Sequence, residues 1–396
     1  IASDRSIAWQ LKAQGYRTVY AIDETRFSNI GPEFGFDTRV QPTPGAADFI
    51  LGQIADQPLI NFAVQIPGAE WLLPTLVGNR AFAQAYRPAR FIARLSAALP
   101  DANARPLALF VHLCLAHWPY VSADTPATAG GGMSTLYAQS VKEVDAQLGT
   151  LLDALEQRGY TRDNSVFVLL ADHGEALSPH EFVPAAVTKF GTDAQPPLAG
   201  AGHGASLLNP QQWQVFAMFW GHSALGRIPR GESKVLASLQ DLPATLLRLA
   251  GVPESGPGVP MSIAAVLQPQ QANSARQSVL METGFRPRSI HVENPDATQA
   301  LHVGLETYDF GSSGRLMMKP EVYKATIASK DVGITDGTSI LAVVHRPTGS
   351  LLVTVDPARR WTLYPAGRRS TPDTPVLLGA ACQEPEIRAR LSAWCD

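Results

Sequence analysis

Residues 165–178 read SVFVLLADHGEALS, and the fold turns on how that stretch is read. Val166 to Leu170 is an apolar run of strand length, β-branched and aromatic at its start. Unbroken apolarity predicts a strand buried on both faces, as in a parallel sheet. The run leads directly into Asp172-His173-Gly174-Glu175. An acid and an imidazole at the carboxyl end of such a strand stand where open α/β sheets bind ligands. The competing reading is a turn in which Asp172 caps the next helix and His173 is merely exposed.

The sequence on either side alternates helix with strand. STLYAQSVKEVDAQLGTLLDALEQRG (134–159) predicts the clearest helix, with Ser134 as its cap and Gly159 as its stop. Tyr137, Val141, Val144, Leu148, Leu151 and Leu155 recur on it at spacings of four and three and define its apolar face. LALFVHLCLAH (107–117) predicts the preceding buried strand, and SIAWQLKAQGYRTVYAIDE (6–24) a helix, a Gly15 stop and a strand over 18–22. Downstream, WQVFAMFWG (213–221) predicts a further strand and SLQDLPATLLRLAGVP (238–253) a helix ended by Gly251 and Pro253. This alternation implies a doubly wound α/β domain with a mostly parallel sheet and helices on both faces, assigned to residues 1–270. The character then changes. TSILAVVHRPTGSLLVTVDPARRWTLYP (338–365) predicts a hairpin turning at RPTG and one more strand, so residues 271–396 are expected to form a small antiparallel subdomain with a terminal helix.

Composition narrows the possible classes. The chain has 396 residues, 45% of them hydrophobic and 17% charged, which describes a packed globular protein. A net charge of −3 without a Lys/Arg cluster argues against a nucleic-acid surface. No apolar run reaches the length of a membrane span. The first residue is Ile1 with no leader-like segment before it, so the chain is expected to begin in mid-protein. The three cysteines are too few for a disulfide scaffold. Cys114 reads as a core residue. Cys382 and Cys395 flank QEPEIRARLSAW, and either bridge there in an oxidising compartment or remain two thiols.

The candidate chemistry gathers at strand ends and glycine loops. Asp172 and His173 offer a carboxylate oxygen and an imidazole, a pair suited to a divalent ion. His117, in HWPY (117–120), should emerge at the same sheet edge, or else lie against Trp118 and Tyr120 with its nitrogens bonded to backbone. His203 stands between glycines in GAGHGAS (200–206), which lets backbone approach a small anion closely; otherwise the loop is flexible and the His incidental. His112 reads as a core residue on the face of Cys114. His180, His222, His291, His302 and His345 have no informative spacing.

Taken together, YAQSVKEVDAQLGTLLDALEQRGYTRDNSVFVLLADHGEALS (137–178), LFVHLCLAHWPYV, LQDLPATLLRLAGV and LKAQGYRTVYAIDE resemble, in order, the sulfatase-like branch of the alkaline phosphatase superfamily. The resemblance implies hydrolysis of sulfate or phosphate esters, or transfer as in membrane-anchored phosphoethanolamine and phosphoglycerol transferases. It implies a divalent metal (zinc, manganese or calcium) held by Asp172 and His173, with His117 and His203 on the ester or leaving group and His203 as an alternative ligand of a second ion. The expected partner is a small-molecule, lipid or glycan ester outside the cytoplasm, in the periplasm or at the outer face of the inner membrane. The chain itself contains no expected span and would be anchored, if at all, by an upstream segment. The family's nucleophile lies upstream of the K-x-x-G-Y-x-T unit that opens this chain, so the nucleophile is left unknown. The isolated chain is therefore expected to be nearly inactive. The formylglycine signature Cys-x-Pro-x-Arg is absent, and neither Ser178 nor Ser206 is marked by spacing. Arg26, after Asp23-Glu24, is the candidate cation for the ester's oxyanion, or a surface partner of those acids. A non-catalytic binding or scaffold domain is the reading from another class.

Overall fold

The structure is a computed structural model that describes residues 6–24, 30–42, 77–103, 105–125, 131–178, 186–189, 202–252, 266–269, 277–284, 297–310, 316–346, 349–365 and 375–385, with single positions elsewhere. In chain order its elements begin with α1 (Ile7–Ala13), β1 (Arg17–Ile22), β2 (Thr38–Val40), α2 (Pro88–Ala98), β3 (Leu107–His112), α3 (Met133–Gln157) and β4 (Val166–Leu170). Then follow β5 (Ala186–Lys189), α4 (Pro210–Trp213), β6 (Ala217–Ser223), β7 (Gly226–Arg227), α5 (Leu242–Leu249) and β8 (Val279–Glu282). The remainder is α6 (Ala297–Thr307), β9 (Tyr308–Phe310), β10 (Leu316–Met318), α7 (Pro320–Ala328), β11 (Val332–Thr335), β12 (Ile340–Arg346), β13 (Gly349–Val355), β14 (Arg360–Pro365) and α8 (Pro375–Gln383). Two compact units result: Ile1–Phe167, Phe219–Arg230 and Leu242–Pro260 form one, and Val168–Met218, Gly231–Asp241 and Met261–Asp396 the other. Among the described residues no helix is long and apolar enough to cross a membrane.

In the first unit β1 is flanked by β2 and β3, both parallel to it. The strands' period of two decides which side chains go where. Val19 and Ala21 face Phe91, Ile92 and Leu95 of α2 and Leu151 and Leu155 of α3. On β3, Ala108 joins Leu11 of α1, Leu247 of α5 and Val252. Helices therefore cover both faces, as the alternation of elements predicts. The N-cap of α1 is Ser6, whose Oγ accepts from Trp9 N.

The helix α3 starts at Met133 with Gly132 as its cap, so Ser134 lies inside its first turn. Its buried face carries Ser140, Gln147, Leu151, Ala154 and Leu155, while Val141 is exposed. Gln147 belongs inside because its amide donates to the Tyr86 hydroxyl at 3.2 Å, a partner far away in sequence. The strand expected over 107–117 stops at His112, which is half-buried, and Cys114 is buried just beyond it. The strand β4, expected to be buried on both faces, is half-buried with Leu170 exposed. Its sheet has the order β4-β6-β7. His222 N donates to Ser165 O at one end and Ala171 N to Phe216 O at the other, so β6 runs antiparallel to β4 in an otherwise parallel plan.

The second unit is built on a six-stranded sheet of order β5-β14-β13-β12-β11-β8. Strands β8 and β11 to β14 are antiparallel, and β5 joins parallel to β14. The pair β12 and β13 is the expected hairpin, with Arg346 opposite Gly349. One sheet face packs Ala342, Val353 and Leu363 against Leu207 and Leu208, the other Leu341, Val343 and Tyr364 against Leu377 and Ala381 of α8. The disulfide Cys382–Cys395 closes the end of the chain, which decides between the two readings of those cysteines.

Candidate active site

The carboxyl end of β4 presents the Asp-His-Gly-Glu stretch. Asp172 does not cap a helix: its Oδ1 accepts from His173 N at 3.0 Å, and no helix begins over 173–178. Its Oδ2 lies 3.7 Å from His173 Nε2. The other nitrogen of His173, Nδ1, is 2.9 Å from Gly174 O, and a carbonyl only accepts, so Nδ1 carries the proton. Nε2 therefore turns a lone pair towards a carboxylate oxygen. Two such donors repel one another unless a cation or proton lies between them, and 3.7 Å is a separation that two donors about 2.1 Å from one ion span. The donor set fits a divalent metal. An imidazole nitrogen with a backbone carbonyl behind its other N–H is also the usual form of a metal-binding histidine.

His203 is brought to the same place. Ala176 N donates to Gly202 O at 3.0 Å and Gly202 N to Ala176 O at 2.7 Å, while Gly284 N donates to Gly204 O at 2.8 Å. Gly202 and Gly204 are thus hydrogen-bonded on either side of His203. Gly202 and Gly204 take φ of 92° and 66°, the left-handed region that favours glycine, which is why this histidine sits between them. The rings of His203 and His173 stack with centroids 3.9 Å apart at 19°. His203 Nδ1 lies 2.7 Å from Oε2 of Glu175, whose side chain is only 8% exposed. That hydrogen bond raises the His203 pKa above the ordinary histidine value, outweighing burial. Together His173, Glu175 and His203 place ligand-type atoms within 4.8 Å of one another.

His117 belongs to the first unit, on a turn beyond β3. His117 N donates to Cys114 O, Tyr120 N donates to His117 O, and Arg80 Nη2 donates to His117 O at 2.6 Å. Its Nδ1 is 2.9 Å from Trp118 O, and a carbonyl only accepts, so here too Nδ1 carries the proton. The turn is strained: Tyr120, a non-glycine residue, has φ 61°. Its buried ring, edge-on to Tyr137 at 5.4 Å, holds it there. Behind the turn lie buried polar groups that the sequence did not single out. Arg80 stands 3.9 Å from Glu24, both side chains 1% exposed. Asp23, fully buried, accepts from Tyr86 Oη at 2.6 Å and from Cys114 N at 2.9 Å; burial pushes its carboxyl pKa up against these bonds. Nothing local in the sequence marks Arg80, whose partners lie tens of positions away.

The remaining candidates fare differently. Arg26 lies outside the described residues. Ser206 is buried and its Oγ accepts from Leu208 N, a backbone-supporting role. Glu175 was part of the quoted stretch, and its spacing of two from His173 was the available signal.

The Sulfatase family model matches residues 2–252, and the chain belongs to the Sulfatase family. Comparison with curated proteins gave no match. Among solved structures the chain is similar to the lipoteichoic acid synthase LtaP from Listeria monocytogenes, at 15% identity and TM-score 0.35 over 64% of this chain and 54% of that one. It is also similar to a protein in the alkaline phosphatase superfamily from Vibrio parahaemolyticus, at 18% identity and TM-score 0.42 over 98% of this chain and 66% of that one. A third is the phosphonate monoester hydrolase SpPMH from Silicibacter pomeroyi, at 15% identity and TM-score 0.47 over 88% and 73%. The chain thus spans 54% of the length of the first of these structures and 66% of the second.

Proposed function

We propose that this chain carries the metal-binding and oxyanion-handling residues of a metal-dependent hydrolase of sulfate or phosphate esters. Membership of the Sulfatase family supports the ester chemistry. The observation that carries the metal assignment is the convergence of Asp172 Oδ2 and His173 Nε2. These two residues would hold zinc, manganese or calcium. Such an ion, when bound, acidifies an attacking hydroxyl and offsets charge on the ester's non-bridging oxygens. The Nδ1–H bond to Gly174 O keeps His173 in the ligating tautomer. In this reading His203 presents Nε2 to the ester or its leaving oxygen, where an imidazole donates or accepts a proton, and His117 is given such a role from the sequence resemblance alone. Arg26 is assigned to the anion for the fork geometry of its guanidinium. The substrate is a small-molecule, lipid or glycan ester. The Cys382–Cys395 bridge supports a location outside the cytoplasm, where disulfides persist.

Elemental analysis of the purified chain, beside Asp172→Ala and His173→Ala, tests this. About one equivalent of zinc, manganese or calcium is expected, lost in both variants. A wild-type chain that stays metal-free after these ions are supplied, or variants that keep the metal, would sink the assignment.

A further inference from the structure

The geometry points to Glu175 as the positioning carboxylate of His203: a residue that fixes the imidazole's tautomer and aim, and not a ligand of the metal. The inference rests on the proposed role of His203. Ala176 and Gly202 exchange two hydrogen bonds, so they form an antiparallel bridge. One step outward on each strand, Glu175 stands opposite His203. That is a non-hydrogen-bonded pair, the closer of the two kinds, whose side chains lie on the same side. The contact therefore follows from register. The loop has little freedom to break it, because Gly284 N holds Gly204 O from beyond the histidine.

At the side chains the result is a bond of 2.7 Å from His203 Nδ1 to Glu175 Oε2. An ionised carboxylate only accepts, so Nδ1 carries the proton and Nε2 becomes the nitrogen turned to chemistry. Glu175 is 8% exposed, whereas Asp172 is 58% exposed. The two acids of the stretch thus divide the work: the exposed one meets the ion, and the one whose side chain is shielded backs a histidine. The stacking of His203 on His173 at 3.9 Å and 19° supports this division. Nearly parallel rings, each with Nδ1 committed to an oxygen, do not aim both Nε2 lone pairs at a single ion.

The test is the tautomer of His203, read from imidazole nitrogen shifts and their couplings to ring protons. It is measured in chelator-treated, metal-free protein at a pH where the ring is neutral, and the signal is assigned by its loss in His203→Asn. The wild type is expected to show Nδ1–H. Glu175→Ala is expected to move His203 to the Nε2–H form that unrestrained imidazole prefers. Glu175→Gln, which keeps an oxygen acceptor and the side-chain volume, is expected to retain Nδ1–H at least in part. Both Glu175 variants should bind zinc or manganese with the wild-type stoichiometry. An Nε2–H wild type overturns the inference, as does Nδ1–H persisting unchanged in Glu175→Ala. So does loss of metal in a folded Glu175→Gln protein, which would make Glu175 a ligand. Should Glu175→Ala not fold, the wild-type and Glu175→Gln spectra still decide. A wild type that binds no metal overturns the Asp172–His173 assignment instead, and the tautomer result stands apart from it.

Discussion

A methyl group added at position 174 would collide with Gln211 O and lie 3.0 Å from Gln214 O, so the glycine of Asp-His-Gly-Glu is required by the backbone that crosses it. Gly174 N donates to Gln212 O in the same place. Gly174→Ala is expected to destabilise the protein by about 2 kcal/mol through overpacking and to lower its metal content, since His173 is fixed by Gly174 O. Urea unfolding with elemental analysis on the same samples checks both; unchanged stability would contradict the close approach. The buried pair of Arg80 and Glu24 makes a second residue-scale case. Arg80→Met leaves a buried acid without its cation, and a loss of about 3 kcal/mol or more is expected, with Glu24→Gln on the same chain recovering part of it. Chemical denaturation of the two single variants and the double variant tests the coupling. Additive losses would mean the pair does not act as one.

At the scale of elements, α1 is tied to the strands through Asp37. Its Oδ1 receives Lys12 Nζ at 2.7 Å and its Oδ2 receives Thr18 N at 3.0 Å. Burial is the largest single influence and raises the Asp37 pKa, but the bonds from Lys12 and Thr18 together outweigh it and hold the carboxyl below its ordinary value. A depressed carboxylate contributes stability that is fully present above the unfolded pKa near 3.9 and is lost as pH falls through the folded value. Asp37→Asn is therefore expected to cost about 1 kcal/mol near neutral pH after solvent screening, and progressively less as the pH falls through the lowered folded value. Unfolding free energies across that range decide it; a pH-independent difference would refute the linkage. At the other end of the chain α8 packs Leu377 and Ala381 on the second unit's sheet, with Leu391 and Cys395 beside them. The Cys382–Cys395 bridge spans 13 positions, so reduction is expected to remove about 3 kcal/mol from that packing. Calorimetry with and without reductant measures it.

Across the molecule, a bound metal should appear as stability. An ion that binds the folded chain at a hundred times its dissociation constant adds about 2.7 kcal/mol. The unfolding temperature is expected to rise with zinc or manganese, to fall again with chelator, and not to respond in Asp172→Ala. A wild type indifferent to these ions would argue against a folded metal site. Family membership, covering residues 2–252, was legible from the long α3 helix followed by Asp-His-Gly-Glu, because these motifs are contiguous and need no knowledge of packing. The division into two compact units that alternate along the chain was not, since it depends on which distant segments touch.

The sequence by itself determined the local elements: the apolar run of β4, the helix ended by Gly159, the hairpin of β12 and β13, and the residue types at the end of β4. Their signals are periodicity, capping and turn chemistry, all of which act within a few residues. Tertiary structure decided what those residues meet. It set Glu175 opposite His203 across 28 positions, placed Arg80 behind His117 across 37, and turned Gln147 inward to reach Tyr86. It also left β4 half-exposed and set β6 antiparallel to it. Each of these depends on register and burial between segments far apart in sequence. Free energy of that kind comes from excluding water around paired polar groups, and a linear pattern of residue types does not specify it.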